Sequence, residues 1–159
     1  MSLKIASAFI SALRSNDELL SILGGQGDKK EGARIFTVAR PQEDEGKDKI
    51  PYLIVQPQGL TTGGDKDAYE DGDTDTVSIL IVAATYPALV ELSQMVRDTI
   101  AAMLTEEHEE FIIDDYTFSV GATQMDIEKP WFFLDFTYQI NTQNIEQSCE
   151  SKAKTYVSR

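Results

Sequence analysis

Residues 131–140, WFFLDFTYQI, alternate with a period of two. Phe132, Leu134, Phe136, Tyr138 and Ile140 fall on one side, and Phe133, Asp135, Thr137 and Gln139 on the other. Successive side chains of a strand point to opposite faces, so this segment reads as a strand with one core face and one mostly polar face. An antiparallel sheet covered on a single face produces that pattern, whereas a parallel sheet covered on both faces reads as an unbroken apolar run. The rest of the fold follows from what can supply the cover.

Upstream, FIIDDYTFSVGATQMDIE (111–128) repeats the alternation, with Tyr116, Phe118 and Val120 on one face. Before it, Leu89, Leu92, Val96, Ile100 and Met103 recur at spacings of three and four, which predicts an amphipathic helix opening at Thr85 with Pro87 in its first turn. TVSILIVAA (76–84) is apolar on both sides: Val77, Ile79 and Ile81 face one way, Leu80 and Val82 the other. Two apolar faces call for cover on both, and in a domain this small a neighbouring subunit could supply the second in place of more of the same chain. IPYLIVQP (50–57) and RIFTVAR (34–40) supply two more strands, the latter with Phe36 and Val38 opposed to Arg34, Thr37 and Arg40. At the start, Leu3, Ala6, Phe9, Ile10 and Leu13 form a helical stripe. Ser15 to Glu18 has capping-box spacing before Leu19, Leu20, Ile22 and Leu23, and Gly24-Gly25 stops the run.

Helix, three strands, helix, two strands is the order of an α+β domain: an antiparallel or mixed sheet of about five strands, with two main helices packed on one face. This domain is expected over residues 1–141. Residues 142–159 form a polar extension, expected to dock on a neighbour, with Lys152, Lys154, Tyr156 and Arg159 as its contact residues.

Composition narrows the function. With 159 residues and 42% apolar content, the chain fits one core. It has no apolar run near the ~18 residues of a membrane span, and Met1 to Lys4 do not open a signal peptide, so a soluble cytoplasmic product is expected. A net charge of −13 is the reverse of the basic footprint that binds phosphate backbones. The same charge drives copies apart, so self-assembly must rely on apolar contacts or screening.

No catalytic constellation emerges. His108 is the only histidine, set in EEHEE, and reads as a solvated surface residue; zinc sites needing two or three imidazoles are excluded. Cys149 is the only cysteine and reads as a free surface thiol. No G-x-S-x-G stretch supplies a nucleophile elbow. The carboxylates of TEEHEEFIIDD (105–115) sit in a helix-to-strand connection with nothing to set one apart as an acid. Trp131, Phe132, Phe133 and Tyr138 lack interleaved basic residues and read as sheet core rather than a base-stacking platform. Met95 and Met103 read as helix-face packing.

The distinctive block is acidic: Asp65, Asp67, Glu70, Asp71, Asp73 and Asp75 against one Lys66, just before the apolar strand. Asp71, Asp73 and Asp75 mimic the opening of a calcium loop, but Thr76 stands where it needs glycine and Val82 where it needs glutamate. Gly63-Gly64 precedes no helix and is ringed by acids, so it is no phosphate cradle. Neither a metal nor a cofactor is expected, beyond weak screening by Mg²⁺.

Taken together, LLSILGG, GARIFTVAR, IPYLIVQP, TVSILIVAA, YPALVELSQMVRDTIAAML and WFFLDFTYQI, in that order over residues 3–141, resemble the tail terminator, or tail-completion, proteins of long-tailed bacteriophages. The resemblance implies a non-enzymatic virion protein, made in the host bacterial cytoplasm and located in the tail or neck. It implies a homo-oligomeric ring, commonly hexameric, that caps the tail tube, ends its polymerisation and joins it to the head. Its partners would be the tail tube protein and head-tail connector proteins, with DNA passing through unbound. The acidic block would then line or border the lumen. Two other classes fit the charge: an acidic DNA mimic that inhibits a basic enzyme, and a carboxylate-metal enzyme. A neck component other than the terminator fits the layout.

Overall fold

The computed structural model describes residues 2–24, 33–37, 50–62, 73–109, 111–126 and 131–144. Along the chain run α1 (Ser2–Arg14), α2 (Asp17–Ile22), β1 (Ile35–Thr37), β2 (Tyr52–Thr62), β3 (Asp73–Ala83), α3 (Tyr86–Thr105), β4 (Phe111–Val120), β5 (Gln124–Met125) and β6 (Phe132–Asn144). The strands form one mixed sheet in the order β1-β2-β3-β6-β4, with β5 also paired to β6. Only β1 and β2 run parallel; every other pairing is antiparallel. The α+β class and the helical cover of the sheet are as the sequence implies.

β6 is central, bonded to β3 on one side and to β4 and β5 on the other. Its alternation sorts exactly two environments. Phe136, Tyr138 and Ile140 are buried beneath the helices, while Asp135 and Gln139 are exposed on the opposite face. Tyr138 meets Phe9 of α1 edge-on, with ring centroids 5.2 Å apart. From α1 come Ile5, Ala6, Phe9 and Leu13, from α3 Leu89, Leu92, Val96, Ile100 and Met103, all buried. Each such large apolar side chain contributes roughly 1.5–3 kcal/mol when taken from water.

Local chemistry sets the helix ends. Thr85 Oγ1 accepts from the Ala88 amide at 3.2 Å, and Pro87 sits in the first turn, where a missing N–H costs nothing. At α2 the cap is Asn16 rather than Ser15: Asn16 Oδ1 accepts from Leu19 N, while Ser15 Oγ donates back to Ser11 O at 2.8 Å. Asn16 has a second use that Ser15 could not fill, since its Nδ2 donates to Thr99 Oγ1 at 2.9 Å and ties α2 to α3. Gly24 ends this region at φ 87°, and a Cβ there would collide with the Arg34 guanidinium. Arg34 holds three elements together, donating from Nε to Pro51 O at 2.8 Å and from Nη2 to Ile22 O at 3.3 Å.

Two strands are longer than the sequence suggests. β2 continues past Pro57 to Thr62 and pairs with a β3 that begins at Asp73, so the hairpin extends into residues read as acidic loop. Pro57 is tolerated because the register shifts between Pro57 and Gly59, the kind of irregularity that absorbs a missing donor. β6 likewise runs on to Asn144, with Thr142 buried. The second apolar face of β3 is covered partly within the chain: Val82 is buried with Tyr52 and Trp131, flanked by Phe36, Ile54, Leu80 and Phe133. Farther along that face, Gln56, Gln58, Thr76, Ser78 and Thr137 line an open depression of about 520 Å³.

Candidate interaction surfaces

The rows that cross the sheet show where its cover stops. Val55, Ile79, Phe136 and Val120 lie side by side on the helix face of β2, β3, β6 and β4. The first three are 0%, 0% and 3% exposed, and Val120 is 50% exposed. α3 covers the row as far as β6 and leaves β4 beyond it. Met125 of β5, opposite Phe132, is also exposed, as are Tyr86 and Val90 on the first turns of α3. Tyr116, Val120, Met125, Tyr86 and Val90 therefore collect on one margin of the molecule. Between them lies a groove of about 440 Å³, floored by Leu134 and Phe136 and flanked by Arg97 and Asp98. Arg97 caps Phe118 from 5.1 Å above the ring, covering part of the strand that the helix does not reach.

β4 also ends the sheet among the described residues, so its outer backbone presents ten residues of strand with no neighbour. Long unpaired edges recruit further strands unless charged or bulged. β4 shows both devices in its first half, in Asp114 and Asp115 and a register shift between Ile113 and Asp115. Its second half, Tyr116 to Val120, carries neither.

The acidic block divides. Asp65, Asp67, Glu70 and Asp71 lie outside the described residues, as do Lys152, Lys154, Tyr156, Arg159 and Cys149. Asp73 and Asp75 belong to β3. Asp75 faces the helix layer beside Ile140, is 0% exposed, and has no hydrogen-bond partner among the described residues for either carboxylate oxygen. Burial raises its pKa to about 6, against an opposing pull from the N-terminal ammonium and with a smaller push from the charge of Asp73. The Tyr138 hydroxyl is also buried without a partner among the described residues, and burial raises its pKa above the usual phenol range. On the opposite face, Thr74 Oγ1 donates to Asn141 Oδ1 at 2.7 Å and Asn141 Nδ2 donates to the Asp115 carboxylate, a polar tie across β3, β6 and β4.

His108 is a correction to the solvated reading. It is half-buried, its Nε2 lies 2.9 Å from Met103 O at the end of α3, and its ring stacks on Phe111 with centroids 4.6 Å apart. Two orphan-carbonyl contacts converge there, since the Glu106 amide also donates to Met103 O. The imidazole closes a helix rather than facing water. Met95 and Met103 pack into the core as expected. Among the described residues, no three His, Cys, Asp or Glu side chains converge as a metal would require, and no helix is long and apolar enough to cross a membrane.

No family model matches the sequence, and no curated protein matches it. Among solved structures, a chain in the virion of a native gene transfer agent (GTA) particle has the same fold, with a TM-score of 0.62. The two are 13% identical in sequence, and the match covers 86% of this chain and 92% of that one.

Proposed function

We propose that this protein is a structural component of a phage-like virion, and within it a tail terminator: a ring that caps the tail tube, ends its growth and joins it to the head. The observation that carries the reading is the likeness to a gene transfer agent virion chain over nearly the whole length of both. The order of sequence segments resembles that of tail terminator proteins, which is what points to that place in the virion, and the margin of Tyr116, Val120, Met125, Tyr86 and Val90 is the kind of apolar surface a subunit interface needs. A net charge of −13 suits a lumen that must release DNA rather than hold it.

A head-to-tail contact between identical copies either closes into a ring or runs on as a filament. Ring formation here works against mutual repulsion, so it rises with salt or Mg²⁺ as screening shortens the range of the charges. Light scattering across a salt series tests this. A defined oligomer that gains population with ionic strength supports the reading. A protein that stays monomeric at high concentration, high salt and with tail tubes present overturns it.

A further inference from the structure

We infer that Asp75 makes the seating of the first turn of α1 depend on acidity: the turn closes over a neutral side chain and opens locally when that side chain is charged. The inference does not depend on the ring reading. Its basis is position. Asp75 lies on the helix face of β3, next on that face to Val77, whose cross-strand partner Tyr138 meets Phe9 of α1 edge-on. α1 packs across β2 and β3, and its far end leads into α2, which Arg34 ties to Pro51 at the start of β2. The start of β2 pairs with the end of β3, so the first turn of α1 points toward the other end, where β3 begins with Asp73 and Asp75. In agreement, the strongest single charge acting on Asp75 is the ammonium ahead of that turn.

At 0% exposure, with neither oxygen hydrogen-bonded among the described residues, Asp75 suits the closed fold as a carboxylic acid and not as a carboxylate. On its own strand Asp73 repels the charged form. α1 carries Lys4 and, ahead of it, the ammonium, which favours the charged form. β2 sets Leu60 opposite, β6 sets Ile140, and β4 sets Tyr116 beyond it, all uncharged at neutral pH. α3 places Arg97 over Phe118 and Asp98 at the groove beside Val120. Burial outweighs the ammonium, and the pKa rises to about 6.

A charge held there is relieved by the part of its cover that gives way most readily. The backbone of Asp75 is bonded into β2 on one side and β6 on the other. The first turn of α1 is a helix end, whose leading amides have no carbonyl within the helix to bind. Helix ends open at lower free energy than central strands. Opening lets water reach the carboxylate and returns its pKa toward 3.8, so rising pH between the two values shifts the turn toward the open form.

Amide hydrogen exchange from pH 4 to pH 8, with each residue's intrinsic rate removed, tests this. In the unmodified chain the amides of Ala6 to Phe9, the first that can bond within α1, should lose protection on the order of tenfold to fiftyfold across that range. That loss should be insensitive to low urea, because a local opening exposes little surface. Amides of α3, which open only with the whole domain, should stay better protected and respond to the same urea. The Asp75→Asn variant should keep α1 protected to the same degree at every pH. Equal protection and equal urea sensitivity in α1 and α3 would show that α1 opens only when the domain unfolds, and would overturn the inference. So would α1 protection that does not change with pH in the unmodified chain, or an Asp75→Asn variant that retains the change.

Discussion

Replacing Asp75 by Asn should stabilise the protein at neutral pH and above, and change little near pH 4. The side chain sits in β3 at 0% exposure with neither oxygen hydrogen-bonded among the described residues, and burial, outweighing the opposing pull of the N-terminal ammonium, raises its pKa from 3.8 to about 6. A carboxyl whose folded pKa is raised is most stabilising when protonated. Its contribution is complete below the unfolded pKa and is lost as pH climbs through the folded one. At 1.36 kcal/mol per pKa unit, the loss amounts to about 3 kcal/mol by pH 7. Asn keeps the shape and stays neutral, so the two proteins should be nearly equal near pH 4 and differ by about 3 kcal/mol at pH 7. For a chain of this size that gap is roughly 6–12 °C in melting temperature. Urea unfolding of both proteins across this pH range measures it, at low salt and low concentration to keep them monomeric. A gap that does not change with pH, or an Asn variant that is less stable at pH 7, would show that Asp75 has a partner and refute the reasoning.

Changing Asn16 to Ala removes both the α2 cap and the bond to Thr99, and should cost about 1–2 kcal/mol in denaturant unfolding; a loss below a few tenths would deny Asn16 its role. Replacing Asp65, Asp67, Glu70, Asp71 and Asp73 by Asn or Gln should lower the salt needed for assembly, because these charges act through their summed potential. The same variant should impair head joining or genome passage, and unchanged infectivity and DNA ejection would remove the conduit role. Leaving Asp75 intact keeps the larger, burial-driven part of the stability effect above out of this test. Val96→Ala, at a site 0% exposed between α3 and the sheet, should cost on the order of 1–3 kcal/mol by calorimetry, and a neutral result would contradict the packing described.

The elements that read most directly from sequence are those whose period is enforced by burial. Leu89, Leu92, Val96, Ile100 and Met103 are all buried, and Phe136, Tyr138 and Ile140 face the helices as their alternation requires. Residues with two physical readings were less legible. Pro57 looks like a stop until a register shift accommodates it, and Asp73-Thr74-Asp75 looks like loop chemistry although Asp75 pairs with Ile140 in the sheet. Asn16 and Ser15 are both good caps, and only the distant Thr99 decides between them. His108 among glutamates gives no hint of Met103 O or the Phe111 ring. The exposed apolar margin was illegible for a different reason. Tyr116, Phe118 and Val120 alternate in the same way whether a helix covers them or not, and only the extent of α3 over the sheet leaves Val120 half exposed.

Imaging tail tubes assembled with and without the protein tests the terminator claim most directly. The account predicts a ring of density seated at one end of each tube, tubes that stop growing once it is present, and a central channel left open. Tubes with bare ends and unrestricted length, or protein scattered along their sides, would contradict it.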